Sequence, residues 1–383
     1  MIFSFTKAGW KRWEVATGAS NCQNPTILEG VLYTSCANGV VLALTMDEGK
    51  EVWSRKLTDS LPTDTYTVSA TASYVVVPYG DMGHMTGGAN GLALLERASG
   101  DVRWTYNISA HSPGAPVFVT LLDTLANSLW GVAAHCRILV DGAIPDNWLC
   151  DAPTAVRASV ANARVMTDGS ELWRSPPENA GTFTLGGVAC GEGLVFNGFS
   201  KEDGSGGLQA LNLSSGERLW AKSFPQEIHN APAVGRVLLR YGHPGRTAAI
   251  VGQGGPPGAP LPIPDLLKGT VVAVDVTDGE TLWTFEPPPW HHHGAAGSTF
   301  LQPCMPDLFS GATIDGRGTV YINWSAGGIT YALRDANGDG RIDERDPAEV
   351  SAFDLGSGAT GPPAIAPGML FVNACRRPSA FLA

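Results

Sequence analysis

The sequence predicts an all-β fold, a single β-propeller of four-stranded antiparallel blades spanning residues 1–383, and three observations predict it. A Gly-x-x-x-Trp frame recurs along the chain. Each copy follows or closes an alternating apolar run. The composition is turn-rich, with 47 glycines, 27 prolines, 16% charged residues and no long helical periodicity. Six of the eleven tryptophans have glycine four residues earlier, where the glycine content would place between one and two, so the frame is a repeat and not an accident of composition.

In chain order the copies are FSFTKAGWKRW (Gly9, Trp13), ALTMDEGKEVW (Ala43, Thr45, Gly49, Trp53) and LLERASGDVRW (Gly100, Trp104). Then come ARVMTDGSELW (Ala163, Gly169, Trp173), ALNLSSGERLW (Ala210, Asn212, Gly216, Trp220) and VVAVDVTDGETLW (Ala273, Asp275, Gly279, Trp283). The tryptophans are 40, 51, 69, 47 and 63 residues apart, within or above the period of a four-stranded blade. Each copy reads as a hairpin, in which apolar and polar residues alternate along a half-buried strand and Asp-Gly or Ser-Gly provides the positive-φ turn. Upstream lie two further apolar segments split by a turn, such as PTILEG with VLYTSC and PAIAPG with MLFVNAC, which completes four strands per unit. An indole at a fixed place on the last strand is expected to cover the neighbouring unit.

Fourth strands end near Trp13, Trp53, Trp104, Trp173, Trp220, Trp283 and, in degenerate form, Phe353, which predicts seven blades. The C-terminal segment offers three strands and the N-terminal GWKRWEV the missing fourth, so the N-terminal strand is expected to close the ring against the C-terminal ones and remove exposed edges. The long interval from Trp104 to Trp173 and the apolar MIFSF leave eight blades open.

These residues resemble the PQQ-like repeat propellers, a family that includes quinoprotein alcohol dehydrogenases, with their tryptophan-docking motif, and outer-membrane assembly lipoproteins of the BamB type. The resemblance runs from Gly9 to the C-terminus and implies architecture rather than activity, because one such fold hosts catalysts and binding proteins alike. It also implies what a quinoprotein enzyme would need: adjacent cysteines over the cofactor, a tryptophan floor, and an acidic calcium and cofactor cluster in the channel. No Cys-Cys pair is present. That speaks against PQQ as a cofactor.

Where other blades turn with TDG or SSG, the degenerate blade carries DANGDGRIDERD, an expected insertion over 335–346. Asp335, Asn337, Asp339, the Arg341 carbonyl, Asp343 and Asp346 follow the oxygen-ligand spacing of a calcium loop, with Gly340 at its bend. Asp346 is shorter than the glutamate of a helix-loop-helix sensor, and Pro347 follows it, so the loop resembles the hairpin calcium loops of integrin-type propellers. The expected role of the ion is structural, on the face opposite the channel mouth. An acidic solvated turn is the plainer alternative.

Histidines mark the other face. His111, His229, His291, His292 and His293 fall in loops between blades, and His84 in a loop between second and third strands, so all six are expected around the channel mouth. There they would hold Zn or Cu, act as general bases, or simply make a polar rim. Trp290 and the proline-rich GQGGPPGAPLPIPDLLKG would make that rim a recognition surface for a protein or glycan.

The net charge of -11 and pI near 5.2 leave no basic stripe for phosphates, which excludes a nucleic-acid partner. No apolar run reaches about 18 residues, so no transmembrane helix is expected. MIFSFTKAGWKR lacks the apolar core of a signal peptide. Seven cysteines suit an oxidising compartment, with Cys22 near Cys36 and Cys136 near Cys150 as expected disulfide pairs or, alternatively, buried thiols. Asn107, Asn212 and Asn323 begin glycosylation sequons.

The reading that follows is a non-catalytic, calcium-stabilised propeller of the cell exterior, the periplasm or a secretory lumen, binding or scaffolding a partner through its channel face. No residue is assigned a catalytic role. The second reading is a PQQ-dependent dehydrogenase, or a metal-dependent enzyme using the histidine-rich mouth. No Gly-x-Ser-x-Gly elbow, phosphate loop or HExxH motif points to another enzyme class.

Overall fold

A computed structural model describes residues 2–5, 11–16, 26–36, 38–59, 63–65, 68–81, 91–107, 117–123, 129–138, 157–165, 171–174, 182–183, 188–201, 203–238, 245–254, 266–291, 294–297, 307–359, 361–366, 369–373 and 378–382. These residues contain β-strands joined by turns, with no helix among them. The chain divides into two compact units, Met1–Phe183 with Leu213–Glu217, and Thr184–Asn212 with Arg218–Ala383.

The first unit is built from meandering antiparallel sheets, as the repeat predicts. Thr26–Leu28, Val31–Ser35, Val40–Thr45 and Glu51–Lys56 form one. In the next, Tyr74–Asp81, Gly91–Glu96 and Val102–Asn107 are joined by the short strands Thr63–Thr65 and Ser69–Ala70. Val117–Asp123, Leu129–Ile138, Arg157–Val165 and Glu171–Arg174 form another. In the second unit Val188–Gly191, Leu194–Lys201, Gly206–Asn212 and Arg218–Phe224 pair in sequence. So do Ala233–Val237, Arg246–Gln253, Thr270–Asp275 and Thr281–Phe285, and Phe309–Ile314, Val320–Trp324, Ile329–Leu333 and Val350–Asp354. These are blades of a β-propeller. Every Gly-x-x-x-Trp tryptophan lies on the outermost strand of its sheet wherever a four-stranded meander is complete, and Phe353 holds that place in the degenerate one.

The expected number of blades is not supported, neither seven nor eight. Among the described residues the N-terminal strand Lys11–Val15 pairs with Ile2–Phe5, while Ala364–Ala366, Met369–Asn373 and Pro378–Leu382 make a three-stranded sheet of their own. The predicted pairing of the N-terminal strand with the C-terminal strands is therefore corrected. The physical reason is proximity along the chain: MIFSF supplies a partner at hairpin distance, where closing a short loop costs least.

The hairpins explain the repeat. Gly49, Gly100 and Gly279 have φ of 66, 72 and 78°, and each donates its N–H to the carbonyl four residues back, at Thr45, Glu96 and Asp275. Glycine is needed there for a second reason too. A Cβ on Gly49 would lie 2.6 Å from the ring of Trp13, on Gly100 2.6 Å from Trp53, and on Gly279 3.0 Å from Trp220. Each indole thus lies on the glycine of the next hairpin. Its Nε1 donates to the carbonyl three residues before that glycine: Met46 at 2.8 Å, Arg97 at 2.8 Å and Val276 at 3.0 Å. The expectation that indoles cover the neighbouring unit holds at these three junctions.

Apolar clusters fill the space between successive sheets. Tyr33, Val41, Ala43 and Trp53 pack on Val75, Val77, Ala93 and Leu95 in the first unit. In the second, Phe196, Leu208 and Ala210 meet Ala249, Val251, Val272 and Val274, while Ile250, Val271 and Trp283 meet Phe309, Trp324 and Tyr331. Ring contacts between Phe285 and Tyr331, at 4.9 Å, and between Phe309 and Trp324, at 4.8 Å, add directional packing to the second of these.

Candidate functional site

The degenerate blade holds the most developed polar constellation among the described residues. Its long turn between Ile329–Leu333 and Val350–Asp354 cannot use the short Asp-Gly turn, and two glycines at φ 77° and 82°, Gly338 and Gly340, fold it. Asp335, 1% exposed, accepts N–H groups of Gly338 (2.8 Å) and Gly340 (3.2 Å) on its two carboxylate oxygens. Asn337, Asp339, Asp343 and Asp346 accept from the N–H two residues ahead, at Asp339, Arg341, Arg345 and Ala348. These local turns are what Asx residues form in loops.

Sequence reasoning missed Glu349. This carboxylate, 2% exposed, closes the turn from within: Oε1 accepts the N–H of Ala336 (3.2 Å) and Asn337 (3.3 Å), and Oε2 that of Asp343 (2.9 Å). It lies beyond the twelve-residue frame, and only its place three residues after Asp346 could have drawn notice. Burial raises the Asp335 carboxyl above the ordinary carboxylate range; the N–H groups of Gly338 and Gly340 oppose that, and the charges of Glu349 and Asp339 add to it. The donor types and their order fit calcium. Among the described residues, however, no three acidic, histidine or cysteine side chains converge as a metal cluster, because the carboxylates are turned onto backbone N–H groups.

The loop also serves the sheet before it. Thr284 N–H donates to Gly340 O (3.1 Å) and Ile342 N–H to Thr284 O (2.9 Å), a parallel bridge that lays Gly340–Ile342 along the edge of Thr281–Phe285. Ile342 is buried in the cluster that contains Trp283. The loop therefore caps an edge strand with its backbone, where the hairpins of Gly100 and Gly279 receive side-chain bonds from the indole and from Arg55 or Lys222.

Of the six predicted histidines, His229 and His291 fall among the described residues; His84, His111, His292 and His293 lie outside them. His229 is not an open ligand. Its side chain is 4% exposed, with Nδ1 3.0 Å from Asp307 Oδ1 and Nε2 2.8 Å from Glu227 Oε2, the latter off the line of a good hydrogen bond. The segment is held by Ile228, whose N–H donates to Ser200 Oγ, and by Asn230, whose amide exchanges two hydrogen bonds with Gly252. Burial alone would lower the imidazole pKa, but Asp307 and Glu227 outweigh it and push it up to about 9. Both ring nitrogens of His229 therefore face carboxylates inside the fold, Nδ1 that of Asp307 and Nε2 that of Glu227.

The sign of its pH dependence follows. A folded pKa above the unfolded value of about 6.5 stabilises fully below pH 6.5 and loses that stabilisation as pH rises through about 9. We expect the stability difference between the wild type and His229→Gln to shrink across that window, from at most about 3 kcal/mol. Urea denaturation at closely spaced pH values measures it; a difference constant from pH 6 to 9 would refute the ion-pair assignment.

Other expected sites resolve individually. Asn323 is fully buried, donating Nδ2–H to Gly361 O and accepting from Thr330 Oγ1, so its sequon is closed to glycosylation in the folded chain. Cys190 is a free thiol pushed up to about 12 by burial. Cys36 is disulfide-bonded, and Cys22 and Cys150 lie outside the described residues. Asp275, the acid in its copy of the frame, caps its own turn by accepting Thr277 N–H at 2.7 Å and meets Arg246 Nη2 at 2.5 Å. No helix among the described residues is long and apolar enough to cross a membrane.

Comparison with known proteins adds to this geometry. The family described as outer membrane protein assembly factor BamB matches residues 4–121 and 157–381. No curated protein sequence matches the chain. Among solved structures, BamB from Moraxella catarrhalis is similar with a TM-score of 0.53 at 13% identity, over 96% of this chain and 84% of that one. Quinohemoprotein alcohol dehydrogenase from Comamonas testosteroni is similar with a TM-score of 0.58 at 12% identity, over 96% of this chain and 66% of that one. A europium-containing methanol dehydrogenase gives 0.57 at 12%, over 97% and 77%. At such identities the likeness is one of fold.

Proposed function

This chain belongs to the family of the outer membrane protein assembly factor BamB, and from that premise we propose that it is a binding or scaffold propeller, a single domain over 1–383, working outside the cytoplasm in the periplasm, a secretory lumen or the extracellular space. The observation that carries this reading is the match of that family over both halves of the chain. The absence of a Cys-Cys pair supports it, since the resemblance to quinoprotein dehydrogenases implies such a pair. The partner is a protein or glycan received on the channel face, to which the sequence assigns Trp290 and the histidines that follow it; the Trp290 indole is anchored by its Nε1 to Gly294 O (2.8 Å).

The likeness of fold to dehydrogenases gives the competing reading a direct test. Purified protein incubated with PQQ and calcium is expected to acquire no stoichiometric quinone absorbance and to reduce no dye with alcohols. Either signal would overturn the scaffold reading.

Calcium belongs to the same proposal. Asp335, Asn337, Asp339, the Arg341 carbonyl, Asp343 and Asp346 would hold the ion, which would supply countercharge to the buried Asp335 and Glu349 carboxylates. Loading requires Asn337 and Asp339 to turn from the backbone toward the ion. Titration calorimetry is expected to give one calcium per chain, with about 2.7 kcal/mol of added stability at a hundredfold excess over Kd. Asp339→Ala, an exposed position, should abolish both; an unchanged melting temperature in the wild type would remove calcium from the account. The Cys36 disulfide is proposed to run to Cys22.

A further inference from the structure

The residue before each docking tryptophan is a bulge. Pairing passes from Ala273↔Trp283 to Val274↔Thr281, from Ala210↔Trp220 to Leu211↔Arg218, and from Ala43↔Trp53 to Leu44↔Glu51, so Leu282, Leu219 and Val52 are the extra residues. The residue after the indole turns its N–H and C=O away from the sheet, as Thr284 does in bonding Gly340 and Ile342. By the same register Ala221, opposite Gln209, faces outward in the strand Arg218–Phe224.

The two edges are finished differently. At Thr284 an extended segment of the chain pairs with the edge, and its Ile342 is buried in the cluster on which Leu282 packs. At Ala221 no backbone group among the described residues pairs with the edge, and Leu219 is 51% exposed. Beside it opens a cavity of about 490 Å³ lined by the apolar Leu194, Leu219 and Val276 and by the polar Glu192, Arg246, Thr247, Asp275 and Thr277. That edge carries the side-chain bond of Lys222 Nζ to Gly279 O (2.9 Å) and has a partly apolar recess beside its bulge leucine, where the capped edge has a buried isoleucine. An exposed strand edge next to a side-chain recess is the arrangement by which extended peptides are recognised, main chain giving affinity and the recess side-chain choice.

We propose that the edge Leu219–Lys222 is a strand-addition site for an extended segment of a separate protein. The segment runs parallel to Arg218–Phe224, bonds Ala221 N–H and C=O, and seats one aliphatic side chain against Leu219 in the cavity. Its chemistry follows from the segment the neighbouring edge accepts, Gly340-Arg341-Ile342-Asp343: a small residue, one of any kind, an aliphatic one and an acid. Arg246 at the cavity rim, half exposed beyond its pairing with Asp275, would meet the acid. The site is on the outer margin of a blade and stands whether or not the channel face binds anything.

The test uses the whole protein and a synthetic blocked peptide with the sequence of Asp339–Arg345. Amide hydrogen exchange of segment 218–224 is expected to slow at least tenfold at saturating peptide, with no change at Ser54, the corresponding position on the strand Glu51–Lys56. Leu219→Asp should weaken the protection at least tenfold, and so should Ala221→Pro, which removes only the outward N–H. A peptide with serine in place of its isoleucine should give none, which keeps the test decisive if a protein variant misfolds. Absence of protection at the solubility limit of the peptide overturns the proposal, as does protection that survives both variants. A dimer in light scattering that Leu219→Asp dissolves would overturn it in favour of a second copy of this chain.

Discussion

Gly100→Ala is expected to cost about 3 kcal/mol of stability, and about half of that should disappear when Trp53 is also cut to alanine. The expectation adds two separate effects at one position. Holding a non-glycine residue at φ 72° costs about 1–2 kcal/mol. Forcing a methyl to within 2.6 Å of the Trp53 ring overpacks the junction by about 1–3 kcal/mol more. Trp53→Ala by itself should cost about 3–5 kcal/mol, since the indole is buried and hydrogen-bonded to Arg97. In the double variant the clash has no ring to meet, and only the backbone cost remains, giving a coupling of about 1–3 kcal/mol. Gly30→Ala is the internal control: its φ is 76°, with no atom within 4 Å of the added carbon. It should lose only the backbone part. Equal urea midpoints for Gly30→Ala and Gly100→Ala would show that the indole does not press on the hairpin.

Glu349→Ala should be at least as damaging. Three N–H groups, of Ala336, Asn337 and Asp343, give their hydrogen bonds to this one buried carboxylate. Each donor left unpaired costs about 1–3 kcal/mol, so a loss of about 3 kcal/mol or more is expected. The damage should spread to the edge that the loop covers, and faster hydrogen exchange at the Thr284 amide would report it. Glu349→Gln keeps an acceptor and should fall between. If Glu349→Ala unfolds at the wild-type urea midpoint, the carboxylate does not organise the loop.

The blades were readable because their determinants are local. A strand, its turn glycine and its tryptophan fall within thirteen residues of Val271–Trp283, and period-two alternation fixes which face is buried. What the indole rests on was legible only in kind: Trp53 belongs by sequence to Gly49 but lies on Gly100. The number of blades was not legible, because pairing at the chain ends is decided between segments that sequence adjacency does not order, and Ile2–Phe5 won the strand Lys11–Val15. His229 read as a rim residue because one of its two acids, Asp307, is 78 positions away. Glu227, two residues before it, was the only signal within reach. The acidic loop was fully legible as a spacing, whereas its buried organiser Glu349 and its grip on Thr284 depend on a fold-back that spacing does not encode.

The direction of indole docking has a consequence for biosynthesis. At the three junctions described the ring rests on a glycine that lies downstream, between 36 residues later for Trp13 and Gly49 and 59 later for Trp220 and Gly279. At a translation speed of about 5–20 residues per second, a freshly made indole stays bare for several seconds before its cover leaves the ribosome. The nascent chain thus always trails one sticky aromatic, and a holding chaperone would find it there.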